Sequence, residues 1–250
     1  MIEIRKAAVF GAGVMGAGIA AQIANAGIPV RLFDIAPPSG QDRRAIAASA
    51  IARLLTTDPA PLMHRDNAAL IQPHCIDDDM AEIAGCDWIV EAIVERPDLK
   101  RALYEKIERA RKPGSIVSSN TSTIRLASLV EGLPKPFARD FLITHFFNPP
   151  RYLRLLEIVA SSATRTEAVA AIEQFADLRL GKIPIRCKDT PGFIANRLGI
   201  YWMQCAVARA MDEGLTVEEA DAVMGAPMTA SASSTVKPSS MARATAHCIQ

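Results

Sequence analysis

The sequence of 250 residues predicts an α/β fold, in which a doubly wound parallel sheet is followed by a shortened all-α domain. Two patterns predict this fold. Short apolar runs alternate with segments of helical period through the first two thirds of the chain, as in parallel sheets whose strands are joined by helices. Beyond about residue 190, apolar residues recur at helical spacing, for example at Leu198, Tyr201 and Cys205.

The predicted strands and helices follow one another in a regular order. The strands are expected at residues 7–10, 29–33, 87–94, 115–118, 141–147 and 153–159, and the helices at 14–26, 42–55 and 99–111. Residues that favour turns mark several boundaries. Gly27 suits the C-terminus of the first helix, and Pro113 and Gly114 end the third.

The chain is predicted to divide into three parts. A nucleotide-binding domain spans residues 1–188, and a helical domain spans 189–227, where Thr190 is expected to cap the first helix and Pro191 to lie in its first turn. Of the last 22 residues, 13 are Ala, Ser or Thr. Such a segment buries too little apolar surface to offset the entropy of ordering, so we expect residues 228–250 to be a disordered tail.

Composition and charge limit the classes of function. The formal net charge is +1, so no bulk field recruits nucleic acid or an anionic membrane. The five cysteines are scattered and odd in number, which favours reduced thiols over disulfides or a zinc site, and we expect no metal. The N-terminal segment lacks the apolar stretch of a signal peptide, and no segment is long enough to span a membrane. We therefore expect a cytoplasmic protein.

A glycine-rich loop follows the first predicted strand. Gly11, Gly13 and Gly16 match the G-x-G-x-x-G pattern that opens the first helix of a Rossmann fold, where backbone N–H groups face a diphosphate. Such loops are common, but Asp34 ends the next strand, where a carboxylate binds a ribose 2′-hydroxyl. The alternative for Asp34 is a turn carboxylate at a strand end. An acid at this position repels a 2′-phosphate, so we predict NAD rather than NADP.

His145 is the candidate proton acceptor among four histidines. It ends an apolar strand just before a Pro-Pro turn, at the edge of the sheet where ligands bind in such folds. Glu157 lies in the next apolar run, where a carboxylate is costly to bury unless it is paired. Adjacent strands would place it against the imidazole. The alternatives are a core histidine bonded to the backbone and a solvated carboxylate.

These motifs resemble the L-3-hydroxyacyl-CoA dehydrogenases of fatty-acid β-oxidation. The resemblance runs from about residue 5 to 227 and rests on GAGVMGAGIA, the acidic strand end, EAIVERPDLK, SSNTSTI, HFFNPPRYLRLLEIV and CKDTPGFIANR, in that order. The wording of HFFNPPRYLRLLE is most similar to the long bacterial multifunctional β-oxidation proteins. The match stops at Met228, which suggests a truncated or frame-shifted reading frame.

The resemblance implies a role for each matching residue. His145 is the general base and Glu157 its orienting partner, while Ser122 and Asn196 hold the hydroxyl and thioester oxygens of the substrate. The residues on the cofactor side, in addition to the glycine loop and Asp34, are Glu95, Lys100, Asn120 and Asn148. Without the resemblance, simpler interpretations would be preferred: Ser122 as a helix cap, Asn196 as a solvated side chain, and Glu95 with Lys100 as an exposed charge pair.

The implied reaction is NAD-dependent oxidation of an L-3-hydroxyacyl-CoA to a 3-ketoacyl-CoA. The implied partner is an acyl-CoA, and the family forms homodimers through helices that lie beyond the point where the match stops. Two alternatives remain: a truncated NAD-binding remnant without activity, and a related hydroxy-acid, sugar-acid or carnitine dehydrogenase.

Overall fold

The computed structural model describes residues 2–40 and 42–224, which form two compact units. The first unit ends at Phe193 and the second begins at Ile194. The first contains one sheet of eight strands. The strands are β1 Ala7–Phe10, β2 Val30–Asp34, β3 Ile71–Cys75, β4 Trp88–Glu91, β5 Ile116–Ser119, β6 Phe141–Phe146, β7 Leu155–Val159 and β8 Ile183–Cys187.

The strand order is β3-β2-β1-β4-β5-β6-β7-β8, and all neighbouring pairs are parallel except β6 and β7. This order confirms the predicted doubly wound sheet, with one correction to the expectation of a wholly parallel one. Residues 147–154, between β6 and β7, contain no helix. A parallel connection needs a crossover of about a dozen residues or more, so this short turn forces the two strands to run antiparallel.

The two edge strands, β3 and β8, were not predicted from the sequence. Each contains a proline, Pro73 in β3 and Pro184 in β8. Proline removes a backbone donor and is tolerated in sheets mainly at an edge, where one side of the strand has no partner. In each of these strands the proline interrupts the apolar pattern by which a strand is predicted, and it also explains why the strand lies at an edge of the sheet.

Helices cover both faces of the sheet. Those of the first unit are α1 Val14–Asn25, α2 Ala45–Leu54, α3 Pro97–Ala110, α4 Leu126–Val130, α5 Lys135–Asp140 and α6 Thr166–Leu178, with 3-10 helices at Arg65–Leu70 and Met80–Gly85. One core cluster contains residues of α1, α2 and α6. The other contains residues of α3, α4 and α5. Buried strands between two apolar layers are typical of parallel sheets.

The second unit consists of helices α7, Ala195–Asp212, and α8, Val217–Met224. The prediction that Thr190 caps α7 is wrong, because Gly192 (φ 73°) and Phe193 (φ 45°) adopt left-handed backbone conformations that no α-helix continues through. Thr216 does cap α8: its hydroxyl accepts the N–H of Glu219, whose carboxylate accepts the N–H of Thr216. The predicted disordered tail lies outside the described residues.

Among residues 2–40 and 42–224, we find no helix with the length and apolar character needed to cross a membrane. Within the same ranges, no three His, Cys, Asp or Glu side chains group in a way that would hold a metal ion.

Candidate functional site

The glycine loop joins β1 to α1, and two of its glycines are required by close backbone contacts. A Cβ atom at Gly11 would lie 2.5 Å from the carbonyl oxygen of Ala92, and one at Gly16 would lie 1.7 Å from the carbonyl oxygen of Gly11. A Cβ atom at Gly13 would meet nothing within 4 Å. Gly11 and Gly16 are therefore needed for the turn itself, whereas Gly13 leaves open space beside the backbone.

The N-terminus of α1 is available to an anion. No side chain caps it, and Val14, its first residue, is 76% exposed. The first N–H groups of a helix have no partner within the helix, and they favour a phosphate. The uncapped helix end and the space at Gly13 fit the diphosphate of NAD.

Asp34, at the end of β2, lies beside this loop. Its Oδ2 atom accepts the backbone N–H of Ala12 at 2.6 Å, and its Oδ1 atom accepts the N–H of Ile35 at 2.7 Å. These bonds hold the carboxylate at the carboxyl end of the sheet, next to the diphosphate loop. This is the arrangement that a ribose-binding carboxylate needs, and it supports the prediction for Asp34.

His145 and Glu157 face each other across the antiparallel pair of strands β6 and β7. The Nδ1 atom of His145 lies 2.8 Å from the Oε2 atom of Glu157. The histidine is 4% exposed and the glutamate 0%. The rings of Phe147 and Phe193 lie against the imidazole, with centroids at 4.6 Å and 5.7 Å. Since Glu157 occupies Nδ1, Nε2 is the nitrogen left to meet a substrate.

Ser122 lies in the loop of residues 120–124 that follows β5, which we call the Ser122 loop. Glu95, from the segment after β4, binds this loop through its Oε1 atom. That atom accepts the hydroxyl of Thr121, the backbone N–H of Ser122 at 3.1 Å and that of Thr123 at 3.3 Å. Burial raises the pKa of Glu95, but the Thr121 hydrogen bond and the charge of Lys100 outweigh it, so the pKa lies below its usual value.

Lys100 and Glu91 form a buried ion pair, and sequence reasoning missed Glu91. The Lys100 ammonium lies 2.6 Å from Oε1 of Glu91 and 3.2 Å from Oε2 of Glu95. Lys100 is 1% exposed, so the alternative of an exposed Glu95–Lys100 pair is wrong. The sequence did contain an indication for Glu91. It is a carboxylate at the end of an apolar run, and the same kind of pattern, a carboxylate within an apolar run, had singled out Glu157.

The three asparagines predicted for the site occupy different positions. Asn120 joins β5 to β6, since its Oδ1 atom accepts the N–H of Phe146 at 2.8 Å. Asn148 is exposed in the turn between β6 and β7. Asn196 is the second residue of α7, in the second unit. The structure thus brings Asn120 to the carboxyl edge of the sheet, beside His145, and the roles of all three stay predictions.

A buried lysine holds the turn that carries Asn148. The Lys182 ammonium donates hydrogen bonds to the carbonyl oxygens of Pro150 and Leu153, the latter at 2.8 Å. Burial, with a contribution from the nearby charge of Arg154, lowers the pKa of Lys182 to about 8. Pro150 also faces Gly18 of α1, where a Cβ atom would approach it to 3.0 Å. The turn after His145 is therefore fixed between the sheet and the nucleotide-binding helix.

Comparison with known proteins identifies the relatives of this chain. Residues 6–190 match the family model described as the NAD-binding domain of 3-hydroxyacyl-CoA dehydrogenase. A probable 3-hydroxyacyl-CoA dehydrogenase of Deinococcus radiodurans is 43% identical over 236 residues, which cover 94% of this chain and 68% of that protein. A probable 3-hydroxyacyl-CoA dehydrogenase of Bacillus subtilis is 41% identical, over 89% of this chain and 30% of that protein.

A solved structure shows the same fold. The 3-hydroxybutyryl-CoA dehydrogenase of Escherichia coli superimposes with a TM-score of 0.73 at 30% identity, over 87% of this chain and 45% of that one. The chain thus spans about two thirds of the Deinococcus relative and under one third of the Bacillus relative.

The glycine loop yields the first prediction. Gly16→Ala should destabilise the fold by about 1–3 kcal/mol, because its Cβ atom would overlap the Gly11 carbonyl oxygen. Gly13→Ala is the matched variant: it should leave stability nearly unchanged and weaken NADH binding, since the methyl group enters the space at the helix end. Denaturant unfolding and NADH fluorescence titration measure the two effects. Equal destabilisation by both variants would contradict the conclusion that Gly16 is needed for the turn and Gly13 is not.

The second prediction concerns acid stability at the Ser122 loop. Because the pKa of folded Glu95 lies below its ordinary value of 4.5, its contribution to stability is present above about pH 4.5 and is lost as the pH falls through the folded pKa. Thr121→Val removes one bond to this carboxylate and should cost about 1 kcal/mol near neutral pH, a figure that allows for solvent screening of a side chain 39% exposed.

The difference in stability should shrink as the pH falls through the folded pKa of Glu95, down to the part that comes from the lost acceptor of the Ile124 N–H. Denaturant unfolding at several pH values measures it. Thr56→Val is the control, because the Thr56 hydroxyl donates to the carbonyl oxygen of Arg53 and not to a titrating group. A Thr121→Val deficit that is the same at every pH would show that the Glu95 bond does not contribute.

Proposed function

Because this chain belongs to the 3-hydroxyacyl-CoA dehydrogenase family and contains its NAD-binding domain, we propose that it oxidises L-3-hydroxyacyl-CoA to 3-ketoacyl-CoA with NAD. The observation that carries the proposal is the buried pair of His145 and Glu157, 2.8 Å apart at the same sheet edge as the glycine loop. A hydride leaves a secondary alcohol only if its hydroxyl proton is also removed. The pair provides the group that removes it.

His145 acts as the general base through Nε2. In the neutral imidazole that donates Nδ1–H to Glu157, the lone pair that accepts the proton lies on Nε2. When the proton moves to Nε2, the carboxylate stabilises the imidazolium that forms, in the way an acidic partner serves a catalytic histidine. NAD, when bound, supplies the acceptor for the hydride of C3. In the reverse direction the imidazolium returns the proton to the ketone oxygen.

Further polar groups are proposed to orient the substrate. Ser122 would donate its hydroxyl to the substrate oxygen on C3, and Asn196 would hold the thioester oxygen. Gly11, Gly13, Gly16 and Asp34 would bind the adenosine diphosphate half of NAD, and Glu95, Lys100, Asn120 and Asn148 the side towards the nicotinamide. Two residues of this second group, Glu95 and Asn120, also bind the protein backbone itself.

The remaining features of the proposal follow from the family. The substrate partner is an acyl-CoA, the location is the cytoplasm, and the oligomeric state to be tested is the homodimer of the family. Size-exclusion chromatography with light scattering, with and without NAD, tests the last of these directly.

The third prediction tests turnover. Purified protein mixed with acetoacetyl-CoA and NADH should consume NADH, and His145→Ala should lower kcat by about a hundredfold to ten-thousandfold because the proton donor is lost. Glu157→Gln should lower kcat by about a hundredfold while it leaves NADH binding intact, since only the orientation and charge of the ring change. His64→Ala, at an exposed histidine, is the control and should behave as the wild type.

Other outcomes select other functions. A wild-type protein that binds NADH but is no faster than His145→Ala would be an NAD-binding protein without this activity. Faster turnover of a free 3-hydroxy acid, a sugar acid or carnitine than of the acyl-CoA would place it with related dehydrogenases that use the same proton chemistry. Each result would overturn the acyl-CoA proposal.

A further inference from the structure

We propose that Glu91 is a positioning residue, which fixes the Ser122 loop and so decides where the Ser122 hydroxyl meets the substrate. The inference rests on the proposed function, because it assigns Ser122 a contact with the substrate oxygen. It concerns a carboxylate that touches neither substrate nor cofactor and acts through its neighbours. Two lines of hydrogen bonds lead from Glu91 to the loop.

Glu91 is the centre of a buried polar cluster at the end of β4. Its carboxylate is 0% exposed and accepts the Lys100 ammonium at 2.6 Å and the Tyr104 hydroxyl at 2.6 Å. It also accepts the Ser119 hydroxyl at 2.7 Å and the backbone N–H of Ile93 at 2.8 Å. A buried carboxylate with all these donors has one well-defined position, because any displacement breaks several charge-assisted bonds.

The first line of bonds runs through Ser119, the last residue of β5. Ser119 donates its hydroxyl to Glu91, and its oxygen accepts the backbone N–H of Thr121 at 3.2 Å. The backbone N–H of Asn120 donates to the Glu91 carbonyl oxygen at 2.7 Å. The start of the Ser122 loop is therefore tied to Glu91 through both its side chain and its backbone.

The second line of bonds runs through Lys100 and Glu95. The Lys100 ammonium bridges Glu91 and Oε2 of Glu95. With its Oε2 atom held there, Glu95 turns its Oε1 atom to the backbone N–H groups of Ser122 and Thr123. The middle of the loop is thus also held from β4.

The Ser122 hydroxyl depends on this backbone alone. Within the described residues, no hydrogen bond of that hydroxyl to another protein group is found, so its location follows from the path of the loop. A misplacement of about 1 Å in an oriented catalytic group can cost about a hundredfold in rate. A rigid loop is therefore needed at this position, and the Glu91 cluster supplies the rigidity.

The experiment compares two neighbouring serines of β5. Ser119→Ala removes one donor to Glu91 and the acceptor for Thr121. Ser118→Ala is the matched control: Ser118 is equally buried, and its oxygen accepts the indole N–H of Trp88 at 2.9 Å and the hydroxyl of Thr144 at 2.8 Å. Both variants lose a buried serine hydroxyl in the same strand, but only Ser119→Ala disturbs the path to the Ser122 loop.

For acetoacetyl-CoA reduction, kcat of Ser119→Ala should be about tenfold below that of Ser118→Ala, the loss expected for about one displaced hydrogen bond. The NADH dissociation constants of the two variants should differ by less than kcat does. The glycine loop and Asp34, which are proposed to bind the adenosine diphosphate half of NAD, are untouched, whereas Glu95, Lys100 and Asn120 on the nicotinamide side are tied to Glu91. Equal kcat values, or a loss found in NADH affinity alone, would overturn the positioning role.

Hydrogen exchange provides a readout that does not need turnover. The amides of Ser122 and Thr123 should exchange about tenfold faster in Ser119→Ala than in Ser118→Ala, because the Thr121 backbone loses its acceptor and Glu91 loses one of the donors that hold it beside Lys100. If wild type shows no turnover, the proposed function fails, and the exchange rates still decide whether Glu91 fixes the loop. Unchanged exchange would refute it.

Tyr104→Phe is the second variant, in case Ser119→Ala does not fold. It removes a different donor to Glu91 and keeps the aromatic ring that packs against Phe137 and Phe141. It should accelerate exchange at the same two amides and lower kcat by a few fold. No effect of Tyr104→Phe on either quantity would contradict the proposal.

Discussion

The buried pair of His145 and Glu157 is the constraint on which the site depends. A carboxylate and an imidazole that are both nearly inaccessible to water are tolerated in a core because they are paired. Their contact requires that β6 and β7 run antiparallel in one register, with His145 directly opposite Glu157. A shift of that register by one residue would place the two side chains on opposite faces of the sheet. The chemistry and the strand pairing thus depend on each other.

Polar side chains also join the other strand ends along this edge of the sheet. Glu91 and Ser119 connect β4 to β5, and Asn120 connects β5 to the backbone of Phe146 in β6. Together with the His145–Glu157 contact, these bonds link the four neighbouring strands β4, β5, β6 and β7. They lie at the carboxyl ends of the first three strands, and β7 runs antiparallel and contributes Glu157 opposite His145. Polar groups that are held in place before a ligand arrives do not have to be reorganised when it reacts. The edge therefore combines the stability of a core with the polarity of a binding site.

Sequence reasoning was accurate where single residues constrain the backbone locally. Gly11 and Gly16 mark the glycine loop because only glycine fits their contacts, and the family comparison confirms the NAD-binding domain that the loop predicts. Sequence reasoning failed where the structure of a segment depends on residues outside the local pattern. Pro73 and Pro184 conceal two edge strands whose position in the sheet depends on strands distant in sequence, and the left-handed Phe193 delays the start of α7.

The sequence by itself determined the fold class and the cofactor, because periodicity, glycine spacing and motif order are local properties of the chain, and it indicated His145 as the proton acceptor that we propose. Only the tertiary structure revealed the partners of the buried charges. Glu91, Lys100 and Ser119 are separated along the chain and meet because β4, α3 and β5 pack together. A carboxylate in an apolar run indicates that some partner must exist, since its burial is otherwise too costly. Which group satisfies it depends on strand order and register, and these are decided by the packing of the whole sheet.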